Sequence, residues 1–187
     1  MNKYFTNILL VIAFAGLLFS MPEKAHGNEK TSVRSAVLAS TSTIVEKDNR
    51  AQILRAYLAQ YDSPLVDSAE TFIAEADRNN LDWKLVVSIA GVESWFGHRI
   101  PYQSNNGWGW GVYGDKVTRF ASWDEGITII SHSLRTKYMN KWGATNVTEI
   151  GRIYAADPAW AQKVTSFMNK IEKFEKTYEL AALPISI

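Results

Sequence analysis

The chain has 187 residues, of which 47% are hydrophobic and 21% charged, a balance that suits one globular domain. A formal net charge of +1 supplies no field to gather nucleic acid, so a nucleic-acid partner is not expected. With no cysteine, thiol catalysis, thiolate metal sites and disulfide staples are excluded, and a chain of this length can bury a sufficient core without them.

Residues 1–27 have the layout of an export signal. Lys3 opens a short basic start, Ile8 to Phe19 form an apolar run, and Ala25-His26-Gly27 offers small residues for a signal peptidase. The run is shorter than the ~20 residues a spanning helix needs. Cleavage would leave no stable membrane span, whereas retention would leave an anchor. Either route delivers the rest of the chain to the exterior or the cell envelope. Removal of Lys3, Glu23 and Lys24 with this segment would bring the net charge to zero. Residues 28–46, rich in Ser and Thr and without a sustained period, read as a flexible linker.

Residues 47–180 read as the folded domain. The pattern predicts a first helix from Asp48 to Gln60, with Ile53, Leu54, Tyr57 and Leu58 on one face. Asp62-Ser63-Pro64 marks a second start, and Leu65, Ala69, Phe72, Ile73 and Ala76 follow at helical spacing until Asn79-Asn80. From Trp83 to Ser94 the apolar residues Leu85, Val86, Val87, Ile89, Ala90 and Val92 surround the axis, as in a central buried helix, and Gly97 is a plausible stop. In residues 101–122 Gly, Asn, Pro and Trp crowd together. A turn at Gly114-Asp115 would make this stretch a small β-hairpin or an ordered loop. Ser122-Trp123-Asp124-Glu125 fits a capping box for a helix reaching about Tyr138. A short helix is expected over Asn146 to Ala155. Asp157-Pro158 opens a last one with Trp160, Val164, Phe167, Ile171 and Phe174 on one face. The tail, residues 183–187, is expected to be loosely held. The sum is a mostly α (α+β) domain with one Gly/Trp-rich insertion after its central helix.

Glu93 is the informative residue in this pattern, although spacing alone favours a solvated or paired side chain over a chemical role. Apolar surroundings and the negative end of the helix dipole both raise a carboxyl pKa, and a protonated carboxylic acid is what glycosidic cleavage needs. Lysozyme is the worked example of that logic. The structural alternative is a solvated Glu, or one paired with Arg99. Trp108, Trp110 and Tyr113, interleaved with glycines and preceded by Asn105 and Asn106, could form a sugar-binding surface, because aromatic rings offer flat apolar faces with polar edges. The same rings could instead cover the core, and one ring inward with one toward a groove is expected.

The segment LVVSIAGVESWFG resembles the catalytic-helix signature of lysozyme-like cell-wall enzymes, among them lytic transglycosylases and peptidoglycan glucosaminidases. SNNGWGWGVYG resembles the loop that follows in the glucosaminidases, and YAADPAWAQKV their late Tyr-Ala-x-Asp-Pro segment. Three segments in the right order cover roughly residues 64–175. The resemblance implies a lysozyme-like helical domain and a peptidoglycan glycan strand as partner. It implies Glu93 as general acid, with Ser94, Asn106, Trp108, Trp110, Tyr113, Tyr154 and Trp160 as substrate-binding residues. An endo-β-N-acetylglucosaminidase is the expected activity. A lytic transglycosylase with Glu93 as single acid and base, and a non-catalytic peptidoglycan-binding module, are the alternatives. Asp115, Asp124 and Glu125 are the candidate second carboxylates, and turn and cap chemistry is the preferred account of all three. His26, His98 and His132 have no metal-ligand spacing, and no serine-nucleophile or phosphate-binding motif occurs. No cofactor or metal is expected, and the protein is expected to act as a monomer.

Overall fold

A computed structural model of the protein describes residues 48–182 except 113 and 115. The expected export signal (1–27), the linker (28–46) and the tail lie outside the described residues. Six α-helices account for most of the domain: α1 Arg50–Ala59, α2 Ala69–Arg78, α3 Trp83–Ser94, α4 Trp123–Ser133, α5 Val147–Tyr154 and α6 Trp160–Ala182. A 3-10 turn at Val66–Ser68 leads into α2, and a π-helical stretch at Leu134–Lys141 follows α4.

Helix α3 is the axis of the fold. It packs against α6, α2 and α4, while α1 rests on α2 and α6, and α5 lies on α6. Its start is fixed by Asp82, whose carboxylate accepts the Lys84 N–H at 2.9 Å. Leu85, Val86, Val87, Ile89 and Ala90 are all buried, as the all-round apolar pattern requires. Burying each of the larger aliphatic side chains contributes about 1.5–3 kcal/mol. Gly91 lets Phe96 and α6 come close, since a Cβ there would meet the Phe96 ring at 2.8 Å and the Phe167 ring at 3.2 Å. The helix ends abruptly. Trp95 and Phe96 both take left-handed backbone (φ 54° and 56°) before Gly97, and the Phe96 N–H reaches back to the Ala90 carbonyl at 3.0 Å. The Ser63 hydroxyl donates to the Phe96 carbonyl at 2.8 Å and tethers the strained turn to the segment before α2.

Two expectations are refined. Of the hairpin and the ordered loop expected over 101–122, the described residues take the ordered loop: no strand occurs among them, and Lys116 makes a lone bridge. The reason is Asn106. Its side-chain amide donates to the carbonyls of Trp110 (2.8 Å) and Thr118 (3.0 Å) and its oxygen accepts the Trp110 N–H at 3.0 Å, taking up groups that two paired strands would offer each other. Second, the helix opened by the capping box does not stay α-helical to Tyr138. Its start is as read: the Ser122 hydroxyl accepts the Glu125 N–H at 3.1 Å, and the Glu125 carboxylate accepts the Ala121 N–H. From Leu134 the ladder widens, and the Trp142 N–H bonds the Lys137 carbonyl at 2.9 Å, an i to i+5 step. The wider turn keeps Leu134 and Tyr138 buried while carrying the chain on to an exposed Trp142.

Helix α5 starts as read. The Asn146 side chain accepts the Glu149 N–H at 3.0 Å and the Glu149 carboxylate accepts the Thr145 N–H at 2.7 Å. Asp157 accepts the Ala159 N–H at 2.9 Å and leads into α6, which begins at Trp160.

Candidate active site

Glu93 occupies the last turn of α3, where that helix meets the Gly/Trp loop and the start of α6. The residue as a whole is exposed, more open to solvent than its apolar neighbours in sequence suggested. Its carboxylate is nonetheless walled on two sides. One oxygen accepts the indole N–H of Trp160 at 2.5 Å. The other faces Gly109, where a Cβ would stand 3.3 Å away. Gly109 has φ +61°, so a side chain at this position would be strained as well as crowded against the carboxylate. Desolvation raises the Glu93 pKa above the ordinary glutamate range, and the Trp160 N–H and the Lys163 charge pull it partly back. The ion pairs among the described residues do not include Glu93, so the Arg99 pairing considered from sequence is not formed.

The remaining candidates divide into those that build the loop and those that face its cavity. Ser94 is buried; its hydroxyl lies 2.8 Å from the Gly107 carbonyl and 3.0 Å from that of Ala90, and accepts the Gly97 N–H at 2.9 Å. It pins the loop to α3 and offers nothing to a ligand. Asn106 is buried and organises the loop from within. Trp108 is 0% exposed, donates its indole N–H to the Val86 carbonyl at 3.0 Å, and packs edge-on against Phe120 and Trp123. Trp110 turns the other way. With Gly109, Gly111, Lys137, Tyr138, Trp142 and Tyr154 it lines a cavity of about 310 Å³. Tyr113 and Asp115 lie outside the described residues.

Tyr154 and Trp160 join the cavity to Glu93. Their rings stack at 4.8 Å and 22°, and the Tyr154 hydroxyl donates to the Trp108 carbonyl at 2.7 Å. Burial, reinforced by the charge of Glu93, pushes the Tyr154 pKa well up, so the phenol keeps its proton. Asp124 sits exposed in the first turn of α4 and Glu125 serves the capping box, as their positions suggested. Among the described residues no other carboxylate adds to the electrostatics at Glu93. Sequence reasoning passed over Lys137, Tyr138 and Trp142, which line the cavity from the π-helical stretch and the residue that follows it. Their trace in the sequence is two aromatics and a lysine within six residues. Larger depressions occur elsewhere, one of about 590 Å³ by Arg135 and Met139 and one of about 700 Å³ along the outer face of α6, but neither includes a residue that touches Glu93.

The fold and this arrangement define a class: a mostly helical, lysozyme-like domain with a carboxylic acid at the end of its central helix. One solved structure that resembles it is a catalytic mutant of S. aureus autolysin E in complex with the disaccharide NAG-NAM, with a TM-score of 0.57 and 18% identity, covering 67% of this chain and 68% of that one. No family model and no curated protein sequence matches the chain.

Proposed function

We propose that the protein is a cell-wall glycosidase that cleaves β-1,4 bonds between amino sugars of peptidoglycan, with Glu93 as general acid. The observation that carries this reading is a carboxyl with a raised pKa, held by Trp160 and facing the Gly109 backbone, in a lysozyme-like fold. The likeness to autolysin E, solved with NAG-NAM, supports the substrate class.

In this mechanism protonated Glu93 gives its proton to the glycosidic oxygen as the bond to the anomeric carbon breaks. The Trp160 N–H fixes the carboxyl and then stabilises the carboxylate that forms. No second carboxylate is needed if the substrate supplies its own nucleophile. Attack by the neighbouring acetamido oxygen, followed by water with Glu93 now acting as base, gives hydrolysis and makes the enzyme an endo-β-N-acetylglucosaminidase or muramidase. Attack by the 6-hydroxyl, which loses its proton to Glu93, gives an anhydro end and makes it a lytic transglycosylase. We favour hydrolysis of the glucosaminidase type, on the three matched segments. Trp110, Tyr154 and Trp160 are proposed to form the sugar-facing wall, with Ser94, Asn106 and Trp108 acting through the loop they hold. The protein is proposed to act outside the cytoplasm, where this substrate lies.

Mass spectrometry of digested, purified peptidoglycan tests the reading. Reducing N-acetylglucosamine ends are expected; reducing N-acetylmuramic acid ends would reassign the bond, anhydro ends the nucleophile, and intact strands would overturn the enzyme altogether.

A further inference from the structure

The cavity beside Glu93 carries a cation that the proposed acid chemistry does not use. Lys137 is exposed, and its ammonium stands over the Trp110 ring at 5.5 Å from the centroid. Among the described residues no carboxylate pairs with it. Trp142, 49% exposed, stands over the same cavity and packs edge-on against Tyr138 at 5.0 Å. The i to i+5 bond between Lys137 and Trp142 holds the lysine and the ring at one end of a shared turn. An exposed indole, a half-buried indole and a cation around about 310 Å³ form a pocket suited to one sugar ring bearing a negative charge. The ammonium can donate to a neutral sugar's hydroxyl or acetamido oxygen, but its attraction for an anion is the stronger.

We propose that Lys137 receives a carboxylate of the bound glycan and so makes the site selective for acidic, muramic-acid-containing strands over neutral chitin-type ones. This rests on the reading of the site as a glycan-cleaving one. The carboxylate has two possible sources of the same chemistry: the lactyl group of a strand stripped of peptide, or an acidic group of an attached stem peptide.

Equilibrium binding tests this in a Glu93→Gln background, which prevents turnover, by following tryptophan fluorescence. The ligands are chitotetraose, a NAG-NAM tetrasaccharide with free lactyl carboxylates, and the same tetrasaccharide carrying stem peptides. Affinity for the free-acid tetrasaccharide is expected to exceed that for chitotetraose about tenfold, a margin that shrinks with added salt. Lys137→Met should abolish that margin with little change in chitotetraose binding, and Lys137→Arg should retain most of it. Lys137 dependence on the peptide-bearing ligand assigns the contact to the stem; its confinement to the free acid assigns it to the lactyl group. A Lys137→Met protein that loses affinity equally for all three ligands, or for none, overturns the proposal while leaving the glycosidase reading intact. Failure to bind any of the glycans overturns both.

Discussion

At the scale of single residues, the behaviour of the site turns on who touches Glu93. The Trp160 N–H bonds the carboxylate and lowers its pKa against the upward push of desolvation. Trp160→Phe removes that donor and keeps the ring, so the pKa should rise and the alkaline limb of the pH–rate profile should move to higher pH. A profile of initial rates for the two proteins checks this, and a shift to lower pH would be the wrong sign. A raised folded-state pKa also has a stability consequence. Above the ordinary glutamate range the unfolded chain ionises first, so Glu93 costs stability as pH rises from there through its folded pKa. Glu93→Gln is therefore expected to melt higher than the parent at neutral pH, with the gap closing below about pH 4. Glu93 stood out in sequence as a carboxylate at the end of an otherwise apolar helix, but spacing alone favoured a solvated or paired side chain, and only the resemblance of the segment around it pointed to an acid. Its exposure was not legible, because the opening depends on where a distant loop comes to rest. For the same reason the sequence could expect one inward ring and one facing the groove, but only packing shows Trp108 on the core side and Trp110 at the cavity.

At the scale of elements, the Gly/Trp loop is ordered by side chains in place of strand pairing. Asn106→Ala leaves the Trp110 and Thr118 carbonyls and the Trp110 N–H without partners, at about 1–3 kcal/mol for each group that water cannot reach. We expect a clear drop in melting temperature, and a loss of activity on peptidoglycan that outlasts correction for the folded fraction, since Gly109 and Trp110 would move. Ser122→Ala removes the α4 cap, should cost about 1 kcal/mol in denaturant unfolding, and should leave activity largely unchanged in the folded fraction, because Ser122 itself makes no contact with Glu93 and the packing of Trp123 on Trp108 is kept. The caps at Ser122 and Asn146 were legible because each is a local rule linking side chain and backbone. The π-helical register was not, since no residue in LRTKYMNKW forbids an α-helix and Leu134 and Tyr138, four apart, would share a face in either form. The sequence left hairpin and ordered loop open because Gly114-Asp115 fits a turn, while the Asn106 bonds that favour the loop depend on tertiary position.

At the scale of the whole molecule, one apolar axis supports everything else. Helix α3 delivers Glu93, α6 packed against it delivers Trp160, and α5, which rests on α6, delivers Tyr154. Ile89 is fully buried on that axis. Ile89→Ala should cost about 2–5 kcal/mol and lower the midpoint of a single cooperative transition, with the pH profile unchanged in whatever fraction stays folded. The helix order and the central position of α3 were readable from periodicity alone. That Tyr154 and Trp160 share a site with Glu93 was implied only by the resemblance of three segments, and the approach of Gly109 was not read at all, because nothing local connects these residues. The central claim is that Glu93 gives a proton to a glycosidic bond, and it is tested most directly with one peptidoglycan preparation and two proteins. Release of soluble fragments and co-sedimentation are measured for the parent and for Glu93→Gln. We expect the substitution to reduce release at least a hundredfold while the protein still sediments with the glycan. Undiminished release by Glu93→Gln would contradict that assignment outright.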